Sequence, residues 1–258
     1  MDTPVIDFHS HAGSWGRYGV DADCDLYLKV MDAAGVDRTC INCIWFGDAR
    51  RGNDLVMEYV NRAPDRFIGV AFATPHYPEE AVKELERAVH GLGMAYVKIY
   101  PDYFGRPNDD PAYFPIYEWV DEQEMAVMCH ATYPFDPPGT TIQGRFTALS
   151  DRFPNMRWVM AHTAGTLDAD AAETARVLPN VYMETCSSRT ALGATEFNVE
   201  RAGEDKVLYG SDMALMDARQ QIAKVVTADI PRRAKEKILG LNAIRLLRLD
   251  GPAKGGAA

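Results

Sequence analysis

The chain has 258 residues, of which 47% are apolar and 25% charged, and a formal net charge of −10. That length suits one large domain, and the composition supplies material for a substantial core, which excludes a disordered chain. The acidic balance, with no local concentration of Lys and Arg, argues against nucleic acid and against an anionic membrane surface as partners.

The chain opens "MDTPVIDFH", without a basic region followed by a long apolar stretch, and no run of about 20 apolar residues occurs in it. A soluble, cytoplasmic protein is therefore expected. The first apolar, β-branched segment is "VIDFHSH" from Val5, followed by "TCINCIW" from Thr39 and "FIGVAFA" from Phe67. Five more complete the series: "MAYVKIY" from Met94, "MAVMCHA" from Met125, "RWVMAHT" from Arg157, "VYMETCS" from Val181 and "VLYGSD" from Val207. They recur roughly every 30 residues, the size of one strand-plus-helix unit, and most are nearly continuous apolar runs, as expected of parallel strands covered on both faces.

Between the runs lie segments of helical period. "NDLVMEYVNRAP" is expected to start at a capping Asn53 or Asp54 and to stop at Pro64. "PEEAVKELERAVHGLG" has Pro78 in its first turn and early acids, and "FPIYEWVDEQ" sets Ile116, Trp119 and Val120 on one stripe. A last helical region, about 218–249, is expected to break at Pro231.

Eight such units predict a single (β/α)8 TIM barrel over 1–250, with an open doubly wound sheet as the rival, and a flexible tail at 251–258. The five cysteines are odd in number and scattered, so no disulfide framework is expected. Cys40 and Cys43 make a C-x-x-C inside an apolar run and are read as buried packing.

Side chains alternate along a strand, so His9 and His11 project to one side, with Asp7 expected below them on the same face. His130 falls near the end of the fifth run, His162 near the end of the sixth, and Asp212 ends the eighth. In a barrel, the C-terminal strand ends are where side chains converge on a site, and five uncompensated polar groups there would be costly as core filling. His76, in a loop, and His90, late in a helix, are left out of the site.

On these residues the sequence resembles the amidohydrolase superfamily. Within it, the resemblance is to amidohydrolase family 2, the branch related to aminocarboxymuconate-semialdehyde decarboxylase. The motifs that carry it are "DFHSH", "MCHA", "MAHTAG" after "RFPNMRW", "NVYMETC", "VLYGSD" and the closing "ILGLNAIRLL". The resemblance implies a distorted (β/α)8 barrel with one divalent metal ion, zinc by expectation and manganese as the alternative. It also implies His9, His11, His130 and Asp212 as ligands, with His162 orienting or deprotonating a metal-bound water. Three imidazoles and a carboxylate are a borderline donor set that suits zinc, and a bound cation brings the pKa of water to about 7. Asp212 is expected to share the catalytic proton with His162. Other branches carboxylate a lysine at the position of Lys98, but the nearer branch is mononuclear, so an amine facing a carboxylate or substrate is expected.

Two functions fit the same ligands. The first is hydrolysis of a lactone, ester or amide, and the second is non-oxidative decarboxylation of an aromatic or muconate-type acid. A small, carboxylate-bearing substrate is expected in either case. Trp15, Arg17, Lys98, Tyr100, Tyr133 and Glu184 are its candidate contacts, beside Trp45, Arg50, Arg51, Tyr103, Phe135 and Arg189. The resemblance leaves room for a homodimer. A phosphodiesterase related to the TatD deoxyribonucleases fits poorly, because Lys98 stands where those enzymes recruit a glutamate and the net charge repels a polyanion.

Overall fold

All eight apolar runs form parallel strands in the computed structural model, which describes residues 3–14, 22–188 and 191–249. The tail expected at 251–258 and the candidate contacts Trp15, Arg17 and Arg189 lie outside the described residues. The strands are β1 (Ile6–His11), β2 (Arg38–Asn42), β3 (Phe67–Gly69), β4 (Ala71–Phe72), β5 (Val97–Lys98), β6 (Ala126–His130), β7 (Arg157–Ala161), β8 (Val181–Glu184) and β9 (Val207–Leu208). The third run supplies two of them. It is interrupted at Val70, so that β3 pairs with β2 while β4 pairs with β5.

Sheet order is therefore β1-β2-β3 and β4-β5-β6-β7-β8-β9, all parallel, with Val70 N–H donating to Ile41 O at the junction. Closure comes from β1 meeting the segment that leaves β9. Phe8 N–H donates to Tyr209 O (2.9 Å), Asp212 N–H to His9 O (2.7 Å) and His11 N–H to Met213 O (2.5 Å). The fold is a (β/α)8 barrel.

Helices follow the strands: α1 (Cys24–Ala34), α2 (Ala49–Arg62), α3 (Pro78–Glu86), α4 (Pro101–Phe104), α5 (Phe114–Glu122), α6 (Ile142–Arg152), α7 (Ala169–Val177), α8 (Ala194–Ala202), α9 (Ala218–Val226), α10 (Arg232–Glu236) and α11 (Asn242–Leu247). Helix α2 starts earlier than its periodicity suggests, because Asp48, not Asn53 or Asp54, caps it by accepting from Arg50 N–H. Asn53 is instead fully buried, accepting from Phe72 N–H and donating to Glu84, which ties α2 to β4 and α3. Helix α3 widens into a π turn at Arg87–Gly91, and the final helical region is broken between Val226 and Arg232, with Pro231 at the start of its second part, as expected.

Apolar side chains form two layers. One packs the sheet against the helices; the other, including Phe8, Cys40, Ile68, Tyr96, Met128, Val159 and Leu208, fills the barrel axis and is sealed by Ala243 and Leu246 of α11. Cys40 and Cys43 are free, buried and in different layers, which leaves them a packing role.

Alternation from Asp7 does not carry through to His9, contrary to the expectation of one shared face. The register of β1 on β2 shifts between Asp7 and Ser10. A shift of this kind breaks the two-residue alternation of side chains. Asp7 and Ser10 consequently share one partner, the Thr39 hydroxyl, which lies 2.9 Å from Asp7 Oδ2, the acceptor of its single proton, and 3.0 Å from Ser10 Oγ. Asp7 also accepts from Ser211 Oγ (2.6 Å), Ser211 N (2.8 Å) and His9 N (3.1 Å). Burial pushes its carboxyl up to about 7 against those hydrogen bonds. Asp7 thus joins β1, β2 and the turn after β9 and takes no place in the site above. Replacing it with Ala strands several buried donors and should cost about 3 kcal/mol, read as a lower urea midpoint with an unchanged m-value.

Candidate metal centre

Above the axial layer, the strand ends bring His9, His11, Lys98, Glu184 and Asp212 together, all at least nine-tenths buried. His9 Nε2 lies 3.2 Å from His11 Nε2, and Asp212 Oδ1 lies 2.9 Å from His11 Nε2 and 3.8 Å from His9 Nε2. Ligands spread tetrahedrally about a zinc ion at 2.0–2.1 Å are about 3.3 Å apart, so the three separations straddle the required value.

The other ring nitrogens of these histidines fix which one offers its lone pair. His9 Nδ1 meets Glu184 Oε2 at 3.1 Å, and His11 Nδ1 meets Asn42 Oδ1 at 2.9 Å. Each Nδ1 faces an oxygen acceptor and so carries the proton, which aims both Nε2 lone pairs at one point. Two lone pairs cannot bond each other; a cation between them resolves the conflict. The residues present fit a divalent metal ion.

Two of the surrounding groups sit on strained backbone. His162 (φ 66°) and Asp212 (φ 57°) both occupy the left-handed region, where side chains other than Gly, Asn and Asp are uncommon. Glu184 is held differently. Its carboxylate lies where a Cβ on Gly210 would fall, 2.3 Å from Oε1, so only glycine leaves it room. From there it accepts from His162 N–H (3.2 Å) and from Cys186 N–H.

Electrostatics follow from burial. His9 is held well below the ordinary imidazole range, first by burial and next by the Lys98 ammonium. His162 is lowered to about 4 by burial and then by His130. Burial alone would raise Asp212, but the neighbouring imidazoles of His11, 2.9 Å away, and then of His9 hold it well below the carboxylate range. Burial lowers Lys98 and raises Glu184. Lys98 Nζ stands 3.1 Å from His9 Nε2, competing for the lone pair that a metal would take.

His130 does not join the trio. Its Nε2 meets His162 Nε2 at 3.1 Å and its Nδ1 meets Asp102 Oδ2 at 2.9 Å. The four rings form a row, His11, His9, His162 and His130, with centroids 4.9, 5.2 and 4.8 Å apart. Tyr100 packs on His130 (4.6 Å) and on Tyr103 (4.4 Å), making an aromatic wall, and Trp45 lies 5.7 Å from the His11 ring. The Tyr133 ring packs against Phe135 on the loop after β6. That loop is anchored by Arg145, which donates to Ala131 O and pairs with Asp109 and Asp136.

Sequence reasoning missed Asn42, Asp102 and Cys186. Asn42 had a signal, since it is a polar residue set inside an apolar run, as Lys98 is, and the structure ends both strands at those residues. Cys186 Sγ is buried 2.9 Å from His162 Nδ1 and 3.1 Å from Glu184 Oε2. Nothing in "METCSS" distinguishes it from core filling.

A family model described as "Amidohydrolase" matches residues 6–249. The chain is 24% identical over 238 residues to 2-amino-3-carboxymuconate-6-semialdehyde decarboxylase of Dictyostelium discoideum, covering 77% of this chain and 66% of that protein. It is 28% identical over 130 residues to gamma-resorcylate decarboxylase of Rhizobium radiobacter, covering 43% of this chain and 39% of the relative. The chain therefore spans less than two thirds of these curated relatives. The crystal structure of a 2,6-dihydroxybenzoate decarboxylase with 2,6-dihydroxybenzoate superposes with a TM-score of 0.80 at 20% identity, over 96% of this chain and 100% of the other.

The lowered His162 has a consequence for the metal-free protein. Its folded pKa of about 4 lies below the unfolded value of 6.5, so as pH falls through that window the unfolded state takes up a proton that the folded state refuses. The His162 contribution to stability should be full above about pH 6.5 and fall by about 3 kcal/mol toward pH 4, with His9 acting in the same direction and the raised Asp7 in the opposite one. Urea unfolding of the wild type and of His162→Asn at a series of pH values checks this: the difference between the two should change by about 3 kcal/mol between pH 6.5 and pH 4.

Proposed function

The chain belongs to the amidohydrolase family, and from that membership we propose that it is a metal-dependent non-oxidative decarboxylase of an aromatic or muconate-type carboxylic acid. The observation that carries the reading is that the curated relatives matched across this chain are named decarboxylases. It reverses the order of the two functions read from the sequence, where hydrolysis came first. The site's chemistry agrees with it. A buried lysine beside a metal-binding trio suits a substrate with its own carboxylate, and the Tyr100 and Tyr103 rings suit an unsaturated one.

His9, His11 and Asp212 would hold the ion, with zinc proposed and manganese the alternative. When bound, the ion gathers and polarises substrate oxygens. The protein's own groups supply the rest. Glu184 and Asn42 keep the two Nε2 lone pairs pointed inward, and the Lys98 ammonium is placed to turn from His9 toward the substrate carboxylate.

Decarboxylation leaves the electron pair of the broken carbon–carbon bond on the substrate. A proton must reach that carbon as carbon dioxide departs, so the carboxylate and one proton become the decarboxylated product and CO2. Asp212 and His162 border the site and are the proposed carriers. His130, backed by Asp102, passes the proton onward through its 3.1 Å contact with His162.

Metal-loaded protein in D2O should release CO2 from 2,6-dihydroxybenzoate or an aminocarboxymuconate-type acid, with one deuterium at the vacated carbon. Acid release from a lactone without CO2 would restore hydrolysis. His162→Asn should lower turnover by about 10²–10⁴-fold while retaining about one ion per chain, whereas His9→Ala should lose both metal and turnover.

A further inference from the structure

Cys186 is a buried thiol, kept protonated by burial and by Glu184, to which the proposed decarboxylation gives no role. Its sulfur touches three polar atoms at once: His162 Nδ1 at 2.9 Å, Glu184 Oε2, to which its S–H donates, at 3.1 Å and His9 Nδ1 at 3.5 Å. One donor atom from each of His9, His162, Glu184 and Cys186 falls in a set whose members all lie within 4.8 Å of one another. This set lies on the Nδ1 side of His9, away from the Nε2 trio.

We propose that Cys186 Sγ, His162 Nδ1 and Glu184 Oε2 form a second, thiophilic metal pocket that admits zinc in excess or cadmium and holds His162 when filled. The inference rests on the reading that the first ion sits at His9, His11 and Asp212. His9 keeps its Nδ1 proton and its bond to Glu184, so the two pockets share a wall rather than a ligand.

Charge and donor softness set the second pocket apart from the first. The trio offers two neutral imidazoles and one carboxylate. The second set offers a carboxylate and, once Cys186 has released its S–H proton to water, a thiolate, so two negative ligands meet a divalent ion. Thiolate selects zinc and cadmium over manganese and magnesium. Zinc–sulfur and zinc–nitrogen bonds of about 2.3 and 2.1 Å require a sulfur–nitrogen separation of about 3.5 Å, so the pocket must open by roughly half an ångström. Both Cys186 and His162 lie beyond the ends of their strands, outside the paired ladder.

Filling the pocket removes a ring nitrogen from His162 and anchors the side chain to Glu184 and Cys186. Excess zinc should therefore slow turnover in the wild type, and Cys186→Ser should relieve that inhibition.

The decisive experiment titrates metal-free protein with Cd²⁺, following bound metal directly and the ultraviolet thiolate-to-metal charge-transfer band. The wild type should take about two equivalents, the band rising with the second; Mn²⁺ should fill one site without a band. Cys186→Ser and Cys186→Ala should keep the first equivalent and lose both the second and the band. One equivalent without a band in the wild type overturns the second pocket and leaves the first ion standing. No binding at all overturns both. A band that rises with the first equivalent, with loss of all metal in Cys186→Ser, places the thiol in the primary site and likewise overturns the second pocket.

Discussion

Two imidazole nitrogens 3.2 Å apart, each presenting a lone pair to the other, are the constraint on which the site depends. The arrangement repels unless something positive sits there, and the barrel supplies it only in part, through Lys98. Glu184 and Asn42 enforce the conflict by claiming the opposite ring nitrogens, and β1 enforces it by setting both rings on one side. Folding energy is thus spent on a geometry whose return comes with a cation. Much of the polar architecture below the site, from Asp7 to Ser211 and Thr39, serves to keep β1 in register while that repulsion is held.

Most of the barrel was legible in the sequence, because buried parallel strands write themselves as continuous apolar runs. The interruption at Val70 was not, since a change of pairing partner within one run leaves no mark on hydrophobicity. Nor was the start of α2, because Asp48, Asn53 and Asp54 are equally good caps by residue type and only burial distinguishes them. His9, His11 and Asp212 could be read from strand alternation and strand ends. The irregularity of β1 between Asp7 and Ser10 could not, and it separates Asp7 from the histidines.

The division of roles among His130 and His162 shows a different limit. His130 ends β6 and His162 directly follows β7, so sequence position alone gives them equal standing with the β1 histidines. What separates them is the other ring nitrogen: Asp102 claims His130, and Cys186 claims His162. Such partners come from the segments after other strands, Asp102 in α4 and Cys186 after β8, at sequence separations that no periodicity encodes. Tyr133 illustrates the same limit, because Arg145 fixes its loop in a course that sets its ring against Phe135.

The left-handed backbone at His162 and Asp212 bears on how mutagenesis of this centre is interpreted. An alanine or valine at either point removes a functional group and also forces a side chain into a conformation it resists, so lost activity mixes chemistry with local refolding. Asparagine tolerates that conformation and keeps a polar tip of similar reach. Comparing each asparagine variant with its alanine counterpart therefore gives a built-in calibration, in which the gap between the two measures the backbone and the remainder measures the chemistry.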